Sequence, residues 1–259
     1  MSIEQQEEGF DQRLAEMGIR IKDANNLKVS ENVFDEVTLL ALYKLVHKKW
    51  LTAIGGSIST GKEANVFLAD REDQAVAIKI YRIQSANFTT MSSYVTGDRR
   101  FSHVKKSKKE LIFAWTRKEF SNLARAKEAG LPVPEPLVWD RNILIMSFLG
   151  EEECPYPQLK NVELEDPAAV YASVTGMIDT LYKKAELVHG DLSEFNILYH
   201  DQPYLIDMGQ SVTRDHPRAL QFLMRDIRNV NRFFKKKGCE VKTEYEIFNA
   251  VTGLNVSQP

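Results

Sequence analysis

Little in this sequence is in excess, and its shortages set the first limits. Only two cysteines, Cys154 and Cys239, occur in 259 residues, and their spacing is not that of a metal site. A disulfide framework is not expected, and a reducing cytoplasm is the expected location. No apolar run approaches the ~20 residues that span a bilayer. The opening MSIEQQEEGFDQ is acidic and polar, unlike a secretory leader. Neither sign of charge dominates: 34 basic against 36 acidic side chains give a net charge of -2. That balance argues against bulk electrostatic binding to nucleic acid and leaves room for a local basic patch, and neither a DNA nor a membrane partner is expected. There is no internal repeat and no low-complexity tract. What remains is a globular composition, 43% hydrophobic and 27% charged, in a chain long enough for one large domain or two lobes.

The pattern changes period along the chain. Residues 1–30 are charged and weakly patterned. In 32–50, Phe34, Val37, Ala41 and Leu45 recur at helical spacing, so 1–50 reads as an N-terminal helical extension. LTAIGGSI, ANVFLA and QAVAIKIYR then read as three strands, the first two around a Gly-rich turn. In the third, Val76, Ile78 and Ile80 share one face and Lys79 lies on the other. Residues 84–108 are polar, Ser/Thr-rich and aperiodic, the signature of a mobile or functional loop. A helix over about 108–129 ends at Gly130 and a proline run. The strand NILIMSFL follows, and 150–165 reads as a linker. Asp166-Pro167 then opens a helix with an N-cap and a first-turn proline. ILYH and PYLID form a short hairpin, and a last long helix covers about 217–237, with Leu220, Leu223, Met224, Ile227, Val230 and Phe234 toward the core. The fold class is α+β, with a strand-rich lobe over 51–148 and a helical lobe over 149–259.

The chemistry concentrates in Val188–Asn196 and Ile206–Gly209. His189-Gly190-Asp191 is followed by Asn196, and a second carboxylate, Asp207, comes sixteen positions after the first. Phosphoryl transfer asks for these groups: a carboxylate to orient or deprotonate the attacking hydroxyl, and an amide and a carboxylate to hold magnesium. Asp191 takes the first role, Asn196 and Asp207 the second. Lys79 in AIKIY matches the strand lysine that pairs with ATP phosphates. Leu111, Trp115, Glu119 and Leu123 form one row of the 108–129 helix, apolar except for Glu119. An inward carboxylate needs a cation, and Lys79 is the candidate.

Gly56–Glu63 resembles a Walker A loop, but Glu63 stands where a metal-binding hydroxyl is required, and strand rather than helix follows. A strand–turn–strand flap fits better. There the backbone of Ser57, Ile58 and Gly61, the Ser59 and Thr60 hydroxyls and Lys62 would cover a triphosphate, with Val66 beside the nucleotide. Met146, Ser147 and Leu149 occupy the hinge position, where adenine would bond to the backbone of Ser147 and Leu149 with Met146 guarding the pocket. Arg99, Arg100, His103, Lys105, Lys106, Lys108 and Lys109 form a basic cluster, either a solvated loop or a contact for RNA phosphates or an acidic substrate.

STGKEANVF at 59–67, AIKIYR at 77–82, KEFSNLARAKEAG at 118–130, LVHGDLSEFNIL at 187–198 and LIDMGQSV at 205–212 resemble the motifs of the RIO family of atypical serine protein kinases. STGKEANV and Met208-Gly209-Gln210 resemble its first subfamily, and the small size resembles an archaeal member. The resemblance implies a two-lobed kinase-like fold and ATP- and Mg2+-dependent serine phosphorylation, with Mn2+ as an alternative metal. It also implies autophosphorylation, for which Ser102 and Ser107 are candidate acceptors, and action on the pre-ribosomal small subunit, both protein and rRNA. In that family Asp207 can itself accept phosphate, giving an ATPase cycle. No Ala-Pro-Glu follows Asp207-Met208-Gly209, and Pro217 opens the last helix only eight positions after Gly209. That leaves no room for an activation loop or peptide-docking helices. A small-molecule phosphotransferase of the aminoglycoside or choline kinase type shares His-Gly-Asp-x-x-x-x-Asn and is the alternative. A nucleotide-gated assembly factor is a third.

Overall fold

The structure, a computed structural model, describes residues 20–21, 35–83, 88–101 and 107–257. By its contacts the chain forms two compact units. The first comprises residues 1–89, 104–120 and 136–155, the second 90–103, 121–135 and 156–259.

The first unit is built on a six-stranded sheet: β1 (Arg20–Ile21), β2 (Ala53–Thr60), β3 (Ala64–Arg71), β4 (Gln74–Tyr81), β5 (Pro136–Asp140) and β6 (Ile143–Ser147). The order is β1-β2-β3-β4-β6-β5, antiparallel throughout apart from the short β1-β2 pair. Helix α1 (Glu36–His47) starts at Asp35, whose carboxylate accepts the N–H and hydroxyl of Thr38 at 2.9 and 2.8 Å. It lays Leu39, Leu42 and Leu45 on the sheet face formed by Ile54, Phe67, Ile78, Ile80, Ile143 and Ile145, all buried. Ile78 and Ile80 thus point into this core, and period-2 alternation turns Lys79 to the opposite face. The burial stripe of α1 runs through Thr38, Ala41, Leu42 and Leu45; Phe34 lies outside the described residues. A small hairpin, β7 (Gly150–Glu151) with β8 (Cys154–Pro155), stands where composition suggested a linker.

In the segment read as aperiodic, Phe88–Val95 is helix α2 and Arg99–Phe101 a 3-10 turn. Its Ser/Thr content gives little intrinsic helicity, and burial supplies the rest: Met91, Tyr94 and Val95 are all inside. Helix α3 (Lys108–Glu128) contributes residues up to Phe120 to the first unit and from Ser121 to the second.

The second unit packs α4 (Pro167–Lys183), α5 (Ala219–Lys236) and α6 (Glu244–Thr252) against two short ladders. These pair β9 (Leu187–Val188) with β12 (Val212–Thr213), and β10 (Ile197–Tyr199) with β11 (Pro203–Leu205). Asp166 caps α4 as expected, accepting the Ala169 N–H at 3.0 Å. In α5 the buried stripe is Phe222, Leu223, Asp226, Ile227, Val230 and Phe234. Leu220, expected in the core, is 42% exposed: it lies within about 20° of Ile227 on the same face, but in the first turn of α5. Helix α6 was not anticipated. Thr243 and Glu246 form a full capping box at its start, and Gly253 ends it with φ 73°. No helix among the described residues is long and apolar enough to cross a membrane.

Candidate active site

Two groups of site residues form, one in each unit. In the first unit, antiparallel register puts Val66 opposite Lys79, Lys79 opposite Leu144, and Ala77 opposite Met146. Directly opposed residues share a face, so Val66, Lys79 and Met146 stand together on the face away from α1. Ser59, opposite Val66, joins them past an irregularity in the β2-β3 register. Lys79 Nζ donates to Glu119 Oε1 at 2.8 Å, with both side chains buried. Tyr81 O–H donates to the other carboxylate oxygen of Glu119, and the Lys79 ammonium lies 5.2 Å from the Tyr81 ring centroid. The lysine is therefore held in one place by charge, hydrogen bond and ring.

The flap is a hairpin whose turn closes with Gly61 N–H donating to Ala64 O at 2.9 Å. Ser59, Thr60, Gly61 and Lys62 are exposed and Ile58 is half-buried. The Ser57 hydroxyl is buried and has no hydrogen-bond partner among the described residues. Ser147 ends β6, with Leu149 two residues beyond.

In the second unit the catalytic loop runs from β9 to β10 and the metal loop from β11 to β12. The two ladders therefore tie the loops together at both ends. His189 Nε2–H donates to Ile206 O at 3.1 Å, a tautomer fixed by the carbonyl's inability to donate. Gly190 has φ 79°, and a Cβ there would stand 2.9 Å from Gln210 O, so glycine is required for this approach. Asp191 is half-buried, and its Oδ2 accepts from the Gln210 amide at 3.0 Å and the Asn196 amide at 3.3 Å. The same Asn196 NH2 donates to Asp191 O at 2.8 Å. Burial pushes the Asp191 carboxyl up, the Asp207 charge adds to that, and Arg225 and the Asn196 amide oppose it.

Below the loop lies a residue that the sequence reading overlooked. Asp226 of α5, 1% exposed, accepts the N–H of Gly190 at 2.7 Å and of Leu192 at 2.9 Å, one on each side of Asp191. Burial pushes its carboxyl up to about 7, against the opposing pull of those two N–H groups and Arg225. Asn229, one turn on, donates to Leu192 O at 3.1 Å. Arg225 donates to Gly190 O and, at 3.0 Å, to the Tyr94 hydroxyl of α2.

The metal loop has its own brace. Asn122 Nδ2 donates to Met208 O at 2.8 Å and Ser211 O at 2.9 Å. Its Oδ1 accepts from Arg100 at 2.9 Å, and Arg100 pairs with the buried Asp98 at 2.7 Å. Asp207 is exposed, with a left-handed backbone at φ 61°. Of the sequence's basic cluster, Arg100 is thus consumed internally and Arg99 faces Asp215 at 3.7 Å; His103, Lys105 and Lys106 lie outside the described residues. Ser102 does too, while Ser107 is exposed and accepts the Glu110 N–H at 3.2 Å.

Among the described residues no cluster of three His, Cys, Asp or Glu side chains could cage a metal. The donors present suit Mg2+, which takes one or two protein oxygens and completes its shell with water and phosphates. The NH2 of Asn196 is committed to Asp191, which leaves Oδ1 for a cation. The mutual repulsion of Asp191 and Asp207 is what a cation there would relieve.

The RIO domain family model matches residues 65–247. The chain belongs to the RIO family of atypical protein kinases. The RIO-type serine/threonine-protein kinase Rio1 of Haloferax volcanii is 44% identical over 94% of this chain and 84% of its own length. The human serine/threonine-protein kinase RIO1 is 41% identical over 92% of this chain, and this chain spans 43% of that protein. The crystal structure of the Rio2 kinase-ADP/Mg2+-phosphoaspartate complex from Chaetomium thermophilum matches with TM-score 0.67 at 28% identity, over 83% of this chain and 66% of that one. The fold is therefore the two-lobed kinase-like one, as expected, and RIO membership leaves the small-molecule phosphotransferase alternative without support.

Proposed function

We propose that this RIO chain is an ATP- and Mg2+-dependent serine kinase and ATPase of the cytoplasm that phosphorylates itself and acts in small ribosomal subunit maturation. The observation that carries the catalytic reading is the setting of Asp191. Two side-chain amides fix one carboxylate oxygen, and the N–H groups flanking the residue are pinned to Asp226. Such a carboxylate is oriented before substrate arrives, and its raised pKa suits proton acceptance. It takes the proton of the acceptor hydroxyl as that oxygen bonds to the γ-phosphorus and the bond to the ADP oxygen breaks. Lys79, fixed by Glu119, holds phosphate oxygens. Ser57, Ile58, Ser59, Thr60, Gly61 and Lys62 cover them, the unpaired Ser57 hydroxyl fitting such a ligand. Val66, Met146, Ser147 and Leu149 receive the adenine. Asn196 and Asp207 hold Mg2+, which neutralises phosphate charge.

Asp207 is also the proposed phosphate acceptor of the ATPase cycle. Its exposure supports this, as does the phosphoaspartate in the Chaetomium Rio2 complex. One carboxylate oxygen attacks the γ-phosphorus, ADP leaves, and water then releases phosphate. The decisive experiment uses ATP labelled at the γ-phosphate with purified small subunits. The expected result is an acid-stable phosphoserine label and a separate hydroxylamine-labile label that is lost in Asp207→Asn. Absence of any protein-bound label would overturn the reading.

A further inference from the structure

Away from the catalytic loop, the second unit contains a concave site of about 710 Å³ formed by the last two turns of α5, the connection that follows and the start of α6. Its wall carries Arg228, Arg232, Lys235, Lys236 and Lys242, with Tyr245 beside them. The single carboxylate in the wall, Glu244, is already paired with Arg228 at 2.8 Å. Positions 228, 232, 235 and 236 follow i, i+4, i+7, i+8 spacing, so four cations make one stripe over about 12 Å of helix axis. That stripe lies about 200° around α5 from Asp226, well away from the residues that brace the catalytic loop.

A bland explanation covers part of this. Lys235 and Lys236 complement the C-terminal dipole of α5. The dipole acts within the last turn, so it gives no reason for Arg228 or Arg232 one and two turns earlier, nor for Lys242 beyond the helix. Lys235 and Lys236 make no ion pair among the described residues. With Arg228 and Glu244 cancelling, the other four cations give a strongly positive hollow in a chain of net charge -2.

We propose that this groove binds a single-stranded nucleic acid, its phosphates lying along the α5 stripe and one base stacking on Tyr245. Two features favour a nucleic acid over an acidic peptide. Arg228, whose Nε–H is taken by Glu244, and Arg232, one of whose N–H groups donates to Asn229 Oδ1 at 2.9 Å, keep further planar N–H donors suited to phosphate, and an aromatic ring within a basic groove is the arrangement that takes an unpaired base. The proposal does not depend on the catalytic reading, since binding is measured without ATP.

The test is fluorescence anisotropy of the full chain with a fluorescein-labelled single-stranded oligoribonucleotide and its DNA counterpart over a range of salt. Four neutralised phosphates predict a log–log salt slope near -3, about -0.7 per phosphate. Lys235→Glu with Lys236→Glu should lower affinity at least ~10-fold and flatten the slope by about half. Tyr245→Leu should weaken binding roughly 10-fold and leave the slope unchanged, because stacking displaces no counterion. Equal binding of RNA and DNA supports phosphate and base-face recognition. A preference for RNA supports the same groove with the 2′-hydroxyl added. Unchanged affinity in the charge-reversed variant overturns the proposal, as does displacement of the oligonucleotide by polyglutamate at equal charge concentration. Autophosphorylation, measured on the same variants, should stay at the wild-type level; a wild-type chain that binds RNA but transfers no phosphate would sink the kinase reading and leave the groove standing.

Discussion

Replacing Asp226 by asparagine changes one oxygen to an NH2 and almost nothing in shape. The consequences are nevertheless large, because two backbone N–H groups converge on that carboxylate at 2.7 and 2.9 Å in a 1% exposed site. The amide oxygen can satisfy one of them. The NH2 meets the other as donor against donor, leaving a buried N–H unpaired at a cost of roughly 1–3 kcal/mol. Since the two N–H groups flank Asp191, the loss loosens the proposed catalytic carboxylate as well as the fold. Turnover should fall roughly 100-fold with KM for ATP little changed, for a base misplaced by a fraction of an ångström. The pH dependence supplies a second, independent readout. Burial raises the Asp226 carboxyl from 3.8 to about 7. Between those values the folded chain holds a proton that the unfolded chain has released, so unfolding free energy declines as pH rises. The contribution is fully present below about pH 4 and gone above about pH 7. Three pH units at ~1.4 kcal/mol each set a ceiling of about 4 kcal/mol for this group. Urea titrations at steps from pH 4 to 8 should therefore show a decline in the wild type that is missing from Asp226→Asn. Parallel stability curves for the two proteins would refute the assignment of a protonated, burial-shifted carboxyl beneath the catalytic loop.

Four further changes separate the other groups. Lys79→Ala and Glu119→Ala should each cut kcat/KM about 100-fold and lower stability by roughly 3–5 kcal/mol, since either leaves one buried charge without its partner; steady-state kinetics with thermal melts check both, and an unaltered Glu119→Ala enzyme would remove that residue from the site. Gln210→Leu removes a donor to the ionised Asp191, which should push that carboxyl higher still and move the acid limb of the pH–rate profile to higher pH; a limb that stays in place or moves to lower pH contradicts the contact. Asn122→Ala strips the brace from Met208 O and Ser211 O and leaves Arg100 short of an acceptor, so Mn2+ binding by calorimetry in the presence of ADP should weaken roughly 10-fold; equal metal affinity would show that the loop holds its shape unaided.

Which residues could be read from the sequence depended on whether a side chain stood out from a periodic background. Glu119 did, as a carboxylate in an apolar helical row, and that row is buried as predicted at Trp115, Glu119 and Leu123. Asp226 carries the same signal, lying between Leu223 and Ile227 in the α5 stripe, and the same reasoning applied to the last helix would have found it. The capping box of α6 was equally legible at Thr243 and Glu246. Asn122, Arg100 and Tyr94 were not. An amide on a polar helix turn, an arginine in a basic run and a tyrosine in a Ser/Thr-rich stretch acquire their roles only through partners distant in sequence, up to 131 positions away for Tyr94 and Arg225. Helix α2 shows the same limit in its backbone, because its helical state comes from burial of Met91, Tyr94 and Val95 rather than from propensity.

The left-handed backbone of Asp207 has one more consequence. At φ 61° an aspartate costs on the order of 1 kcal/mol relative to a residue at ease there, and glycine is such a residue. Asp207→Gly should therefore fold at least as well as the natural chain while losing its proposed metal ligand and phosphate acceptor. A library of variants sorted by resistance to proteolysis would enrich glycine at this position, and one sorted by phosphate release would discard it. Run side by side, the two sortings would separate positions kept for folding from positions kept for chemistry, and they should disagree at Asp207 while agreeing at Gly190.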